Sequence, residues 1–293
     1  MTTFKPFFTL LALCLIFSCS SSDDTTDMTS EEMEAEEMEM EMEQEDNSSS
    51  NSGLIRSIDD GFKISYEYTD GLLVRSSGND SNTDLNITYI YDSNDDITSK
   101  SIFEATPSET FNNTVTYEYD TTGRLIAFSS DQTGNALITY QNNQAFVDFG
   151  TAQLILELDL EGKVIRLEAD NFYKIFTYDT TGNMILNQRY DSITDELIDT
   201  IQYTYDSNDN PFFNQLQSIY LQEFISILWI GSFDTSLYYI VFPYLPNNLT
   251  SISFNNSQPD TFTYTYNTAN QIITAEENIV SDGSTENYNI EYY

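Results

Sequence analysis

The residues in this chain that could do chemistry are two cysteines and a large excess of carboxylates, and what surrounds them excludes most mechanisms. There is no histidine anywhere, which removes Ser-His-Asp and Cys-His nucleophilic catalysis and histidine-ligated zinc. No GxGxxG dinucleotide loop, P-loop or GxSxG elbow is present. Carboxylate pairs remain, and two suffice for glycoside hydrolysis. Asp and Glu total 48 against 10 Lys and Arg, so any two acids fall near each other by chance, and those that recur sit at turns. No catalytic residue and no cofactor is assigned from them. Asp92-x-Asn94-x-Asp96 and Asp206-x-Asn208-x-Asn210 match the start of a calcium loop. Both lack the glycine at position six and the acid at position twelve, where Phe103 and Gln217 stand. They read as turns, and no metal is assigned.

The cysteines point to an address. One positive charge, Lys5, precedes an apolar run over residues 7–17. The run is shorter than the roughly 20 residues of a membrane helix and fits the core of a secretory signal. Ile16-Phe17-Ser18-Cys19 resembles the lipobox read by the bacterial lipoprotein signal peptidase. The resemblance implies a signal peptide over 1–18, lipidation of Cys19 and partnership with a membrane through that anchor. Ser20-Ser21-Ser22-Asp23-Asp24 resembles the surface-export signal of Bacteroidetes lipoproteins, which implies the outer face of the outer membrane. Cys14 would leave with the signal and Cys19 would carry lipid, so no disulfide is expected.

Residues 19–53 read as an acidic tether. The stretch 31–46 holds neither a basic nor an aromatic residue; like charges repel and nothing apolar is available to form a core. Its Met and Glu side chains read as a solvated spacer. Residues 54–293 are long enough for one all-β domain. This domain is acidic too, which repels phosphate backbones and excludes nucleic acid as a partner.

The domain repeats itself. Tyr89-Ile90-Tyr91-Asp92, Tyr117-Glu118-Tyr119-Asp120, Phe176-Thr177-Tyr178-Asp179 and Tyr203-Thr204-Tyr205-Asp206 head similar units, with Tyr264-Thr265-Tyr266-Asn267 a looser copy and Leu156-Glu157-Leu158-Asp159 an apolar one. Period-two alternation before each acid predicts a half-buried strand. Asp then opens a type I turn, and Gly or Asn closes it in the left-handed region. An apolar second strand follows, as at Leu125-Ile126-Ala127-Phe128. The expected fold is all-β: an antiparallel meander of repeated β-hairpins in a twisted sheet, curling toward a half-barrel or a barrel. Its aromatic face would be the core, with Thr, Asn, Asp and Glu outside. Tyr-x-Tyr-Asp-x-x-Gly resembles the tyrosine-aspartate (RHS-type) repeat. The whole layout resembles Bacteroidetes surface lipoproteins of unknown function with degenerate repeats and a porin-like β fold.

The pattern stops at about 210–248. Leu216, Ile219, Tyr220, Phe224, Ile227 and Leu228 fall at helical spacing, which predicts a short helical insertion covering the open face or end of the sheet. Its aromatic residues Trp229, Tyr220, Phe224, Tyr238 and Tyr239 are the candidate ligand-binding set. A membrane-spanning barrel fits poorly, because Tyr288, Ile290 and Tyr292 are out of phase with the final residue, Tyr293. The expected function is a surface-exposed lipoprotein with a non-enzymatic binding or structural role toward a glycan or envelope protein. The alternatives are a carboxylate-based hydrolase of surface polymers and a passive coat.

Overall fold

The structure, a computed structural model, describes residues 53–132, 134–226 and 244–293. The chain runs through β1 (Ile55–Asp59), β2 (Lys63–Thr69), β3 (Leu72–Asn79), β4 (Asp84–Tyr91), β5 (Ile97–Ala105), β6 (Thr110–Tyr119), β7 (Leu125–Ser130), β8 (Gly134–Gln141) and β9 (Gln144–Asp148). It continues through β10 (Gln153–Leu158), β11 (Val164–Glu168), β12 (Phe172–Tyr178), β13 (Met184–Asp191) and β14 (Leu197–Asp209). A 3-10 turn, Gln217–Ile219, and helix α1 (Tyr220–Ile225) precede β15 (Asn247–Phe254), β16 (Asp260–Tyr266), β17 (Ile272–Ile279) and β18 (Ser284–Tyr292). Each strand pairs antiparallel with its neighbours in sequence, and β18 pairs with β1, placing Ile58 opposite Ile290. The expected meander is therefore a closed barrel, with 18 strands and one short helix among the described residues, and closure leaves no sheet edge.

Alternation decides which face looks inward. In β6, Val115 and Tyr117 are buried while Thr116 and Glu118 are exposed. Tyr288 and Ile290 face the interior of β18 with exposed Asn287 and Asn289 between them. The core is thus the aromatic lining of the barrel, and the outward side is mostly Thr, Asn, Asp and Glu.

The repeat turns form as expected after Tyr91, Tyr119, Leu158, Tyr178 and Tyr266, but not after Tyr205, where strand β14 runs on to Asp209 and pairs with Asn247 of β15. Gly123 N donates to Asp120 O at 3.0 Å, closing a four-residue turn. Gly123 has φ 79°, and where glycine is missing Asp95 (φ 64°) and Asn270 (φ 61°) take the left-handed position. The Asp120 carboxylate accepts from Thr122 N and Arg124 N, which stabilises its charged form and holds its pKa below the usual range, the Thr122 hydroxyl contributing most.

A bulge follows each such turn, which the alternation rule did not anticipate. Tyr119 opposes Leu125 and Glu118 opposes Ala127, so Ile126 is an extra residue. Ile165, Ile185 and Ile273 are bulged in the same way. This explains the adjacent apolar pairs after the turns: Val164, Met184 and Ile272 are buried, while Ile185 and Ile273 point outward.

In four units the second tyrosine satisfies backbone that the bulge leaves over, whereas Tyr266 of the looser copy donates to the Asp206 carboxylate. Tyr91, Tyr119, Tyr178 and Tyr205 donate to the carbonyls of Leu73, Ile97, Val164 and Met184 at 2.7–2.9 Å. Tyr140 does the same for Leu125. Each acceptor is the first inward residue of the strand before the tyrosine's own. Hairpin β8–β9 turns through Asn142-Asn143 with no register shift. The tyrosine position facing it holds Leu158, so the apolar copy of the repeat sits where no bulge needs a hydroxyl. Removing a hydroxyl from such a site leaves a buried carbonyl unpaired. Tyr119→Phe is expected to lower unfolding free energy by about 1–3 kcal/mol in urea titrations, while Leu158→Tyr, which adds a hydroxyl where no bulge leaves a carbonyl over, should bring no comparable gain.

Candidate functional site

The insertion between β14 and β15 packs inside one end of the barrel, against the strand ends that follow the repeat turns. Gln215 Oε1 accepts from Leu73 N, Ser218 Oγ from Ile97 N, and Tyr220 Oη from Val164 N. These wall residues belong to β3, β5 and β11, far apart around the ring. Phe212 packs on Tyr66 of β2, and Phe224 meets Phe176 of β12 edge-on, each at 5.0 Å between ring centres. The described part of the insertion is therefore a plug in the lumen. Leu73, Ile97 and Val164, whose carbonyls accept from tyrosines, have their N–H groups satisfied by this plug.

An ion pair fixes the plug to the wall. Lys100 Nζ lies 2.7 Å from Glu223 Oε1, and both side chains are largely buried. Burial pulls the Lys100 ammonium down, but the adjacent carboxylate outweighs it and leaves the pKa above the ordinary lysine value. Tyr117 donates to Gln222 Oε1 beside it.

Tyr220 and Phe224, two of the sequence-predicted binding residues, come together here. Tyr220 contacts Phe224 and Tyr244 at 5.4 and 5.1 Å, and Phe224 is 1% exposed. Their rings pack against plug and wall. Trp229, Tyr238 and Tyr239 lie outside the described residues, as does Cys19. Of the two calcium-like segments, the first is a turn as expected, whereas Asp206–Asp209 continue strand β14, and Asp206 takes partners from β15 and β16 as well as from its own strand. Asp92 Oδ1 accepts from Asn94 N and Asp96 N, and the Asp206 carboxylate accepts from Asn208 N, Asn248 and the Tyr266 hydroxyl.

Sequence reasoning missed a groove on the outer face of β8–β11. Its floor is Leu137, Phe146 and Ile155, and its rim carries Gln141, Gln153, Asp148, Glu168 and Asp170, around a volume of about 650 Å³. Register shows that these side chains point outward: Phe146 opposes Thr139 and Ile155, whereas the intervening Val147 and Leu154 are buried. Leu137 is 63% exposed. A signal existed in the unbroken apolar runs Leu137-Ile138, Ala145-Phe146-Val147 and Leu154-Ile155-Leu156, which put apolar side chains on both faces. The groove has the size of a small-ligand site, with amides and carboxylates over an aromatic and aliphatic floor. Two of its three acids are engaged: Asp148 accepts from Gly150 N and Glu168 pairs with Arg166.

No family model matches the chain, and no curated protein matches it. In structure it is similar to a porin-like protein from Bacteroides uniformis, at 12% identity and a TM-score of 0.36, covering 82% of this chain and 98% of the other. A porin-like protein from Bacteroides vulgatus is similar at 9% identity and a TM-score of 0.32, covering 82% and 99%. The TcdB2-TccC3-TEV structure is similar over 74% of this chain and 12% of the other, at 14% identity and a TM-score of 0.29.

Breaking one side of the buried ion pair leaves the other charge unpaired. Lys100→Met alone is expected to cost about 3–5 kcal/mol in denaturant unfolding, and the double variant with Glu223→Leu to recover most of that loss.

Proposed function

We propose that this protein is a lipid-anchored outer-membrane surface barrel that binds, rather than transforms, a glycan or an envelope protein. The observation that carries the reading is the orientation of the two barrel faces. Apolar and aromatic side chains line the inside, and polar ones dominate the outside. A membrane-spanning barrel needs an apolar outer band, so this barrel stands in water and takes its hold on the membrane from Cys19. The acidic tether of residues 19–53 then sets it away from the bilayer.

The groove over Leu137, Phe146 and Ile155 is the proposed contact surface. Its outward position makes it reachable, and its amide and carboxylate rim suits the hydroxyls of a sugar. Binding is favoured over hydrolysis because Asp148 is committed to its own turn and Glu168 to Arg166, leaving Asp170 without a free carboxylate partner in the groove.

Two experiments test this reading. Cys19→Ala should abolish labelling by a fatty-acid probe and move the protein from the membrane fraction to the soluble fraction; retention of both properties would exclude the anchor. On a glycan array, the unlipidated protein should bind a restricted set of sugars without releasing products. Phe146→Ala should weaken that binding tenfold or more, with its melting temperature nearly unchanged. Release of reducing ends from a bound glycan would replace the proposal with the hydrolase.

A further inference from the structure

The β17–β18 wall of the lumen holds two glutamates and one tyrosine in an arrangement short of a hydrogen atom. Glu277 and Glu286 are directly opposed cross-strand partners, a pairing that places like charges side by side. Between them lies the Tyr288 hydroxyl, 2.9 Å from Glu277 Oε2 and 2.7 Å from Glu286 Oε2. A phenol owns one hydrogen, and an ionised carboxylate only accepts. Two carboxylates therefore cannot both be satisfied by this hydroxyl. Glu277 is also 0% exposed, and its Oε1 has no hydrogen-bond partner.

We propose that Glu277 is a proton-binding site: it stays protonated in the folded barrel, donates to Tyr288, and makes the β16–β18 wall respond to pH. Tyr288 then gives its own hydrogen to Glu286, the shorter contact and the one with an ionised acceptor. The orphan Oε1 becomes the carbonyl oxygen of a neutral acid, which costs far less to bury than an anion.

The groups that face Glu277 all favour this state. Asp260 and Tyr264 approach from β16, and Glu286 and Tyr288 from β18, with no basic residue among the charges acting on it. Burial pushes its pKa up to about 7, the Tyr288 hydrogen bond opposes that rise, and Glu286 and Asp260 add to it. A glutamate raised from 4.5 in the unfolded chain gives stability that is complete below 4.5 and is lost as pH rises toward 7. Above that, two anions share one hydroxyl in the hairpin next to the β18–β1 closure.

The test is thermal unfolding of the full chain and of Glu277→Gln from pH 5.0 to 8.5. The wild-type melting temperature, taken relative to the variant, should fall between pH 5 and 7 and level off above. Parallel curves would overturn the proposal. If the glutamine variant does not fold, carboxyl-carbon NMR titration of the wild type decides. One glutamate should titrate near neutrality and move to a lower midpoint in Glu286→Gln. A spectrum in which every glutamate titrates in the ordinary acidic range would refute it.

Discussion

The barrel depends on one constraint: every tight repeat turn inserts an extra residue, and the backbone groups this leaves inside the lumen must find partners. Buried amide and carbonyl groups are costly when unpaired. The carbonyls of Leu73, Ile97, Leu125, Val164 and Met184 are met by tyrosine hydroxyls from the next hairpin. The N–H groups of Leu73, Ile97 and Val164 are met by Gln215, Ser218 and Tyr220 of the plug. Tyrosine recurs because it combines a ring large enough to pack in the lining with a hydroxyl at the right reach. The insertion is polar at those three points because they would otherwise be holes in the hydrogen-bond network.

Each tyrosine also links two hairpins that are already neighbours in the sheet. Hydrogen-bonded ladders set the register, and the hydroxyl contacts hold it at the bulge, where the ladder is interrupted. The plug acts over a longer range, joining β2, β3, β5, β6, β11 and β12 through one short segment. Local repeats and a central segment thus divide the work: the first builds the wall, and the second ties its opposite sides together.

Much of this was legible in the residues. Alternation placed Tyr117 and Val115 in the core, and the Asp-to-Gly spacing identified the turns at Asp120 and Asp179. Helical spacing located Tyr220 and Phe224 together. Closure was less legible, because whether a twisted sheet meets itself depends on strand number and stagger summed over the whole chain. The plug's location was hidden for a related reason: its partners lie 105 to 142 residues away at Tyr117 and Leu73. The outer groove assembles from four strands, each contributing one or two side chains, so no single stretch announces it. Glu277 follows Glu276 in a strongly acidic sequence, and only the pleat shows that one of the two must turn inward.

Ring closure has a consequence for the order in which the molecule is made. Ser57 donates to Glu291 across 234 residues of chain, so the last strand must exist before the first can be fully paired. Contacts this distant in sequence make folding slow. Until they form, β1 and β18 expose free edges able to recruit strands from other molecules. The chain's net negative charge opposes such recruitment by like-charge repulsion. The acidity of the chain then bears on its assembly.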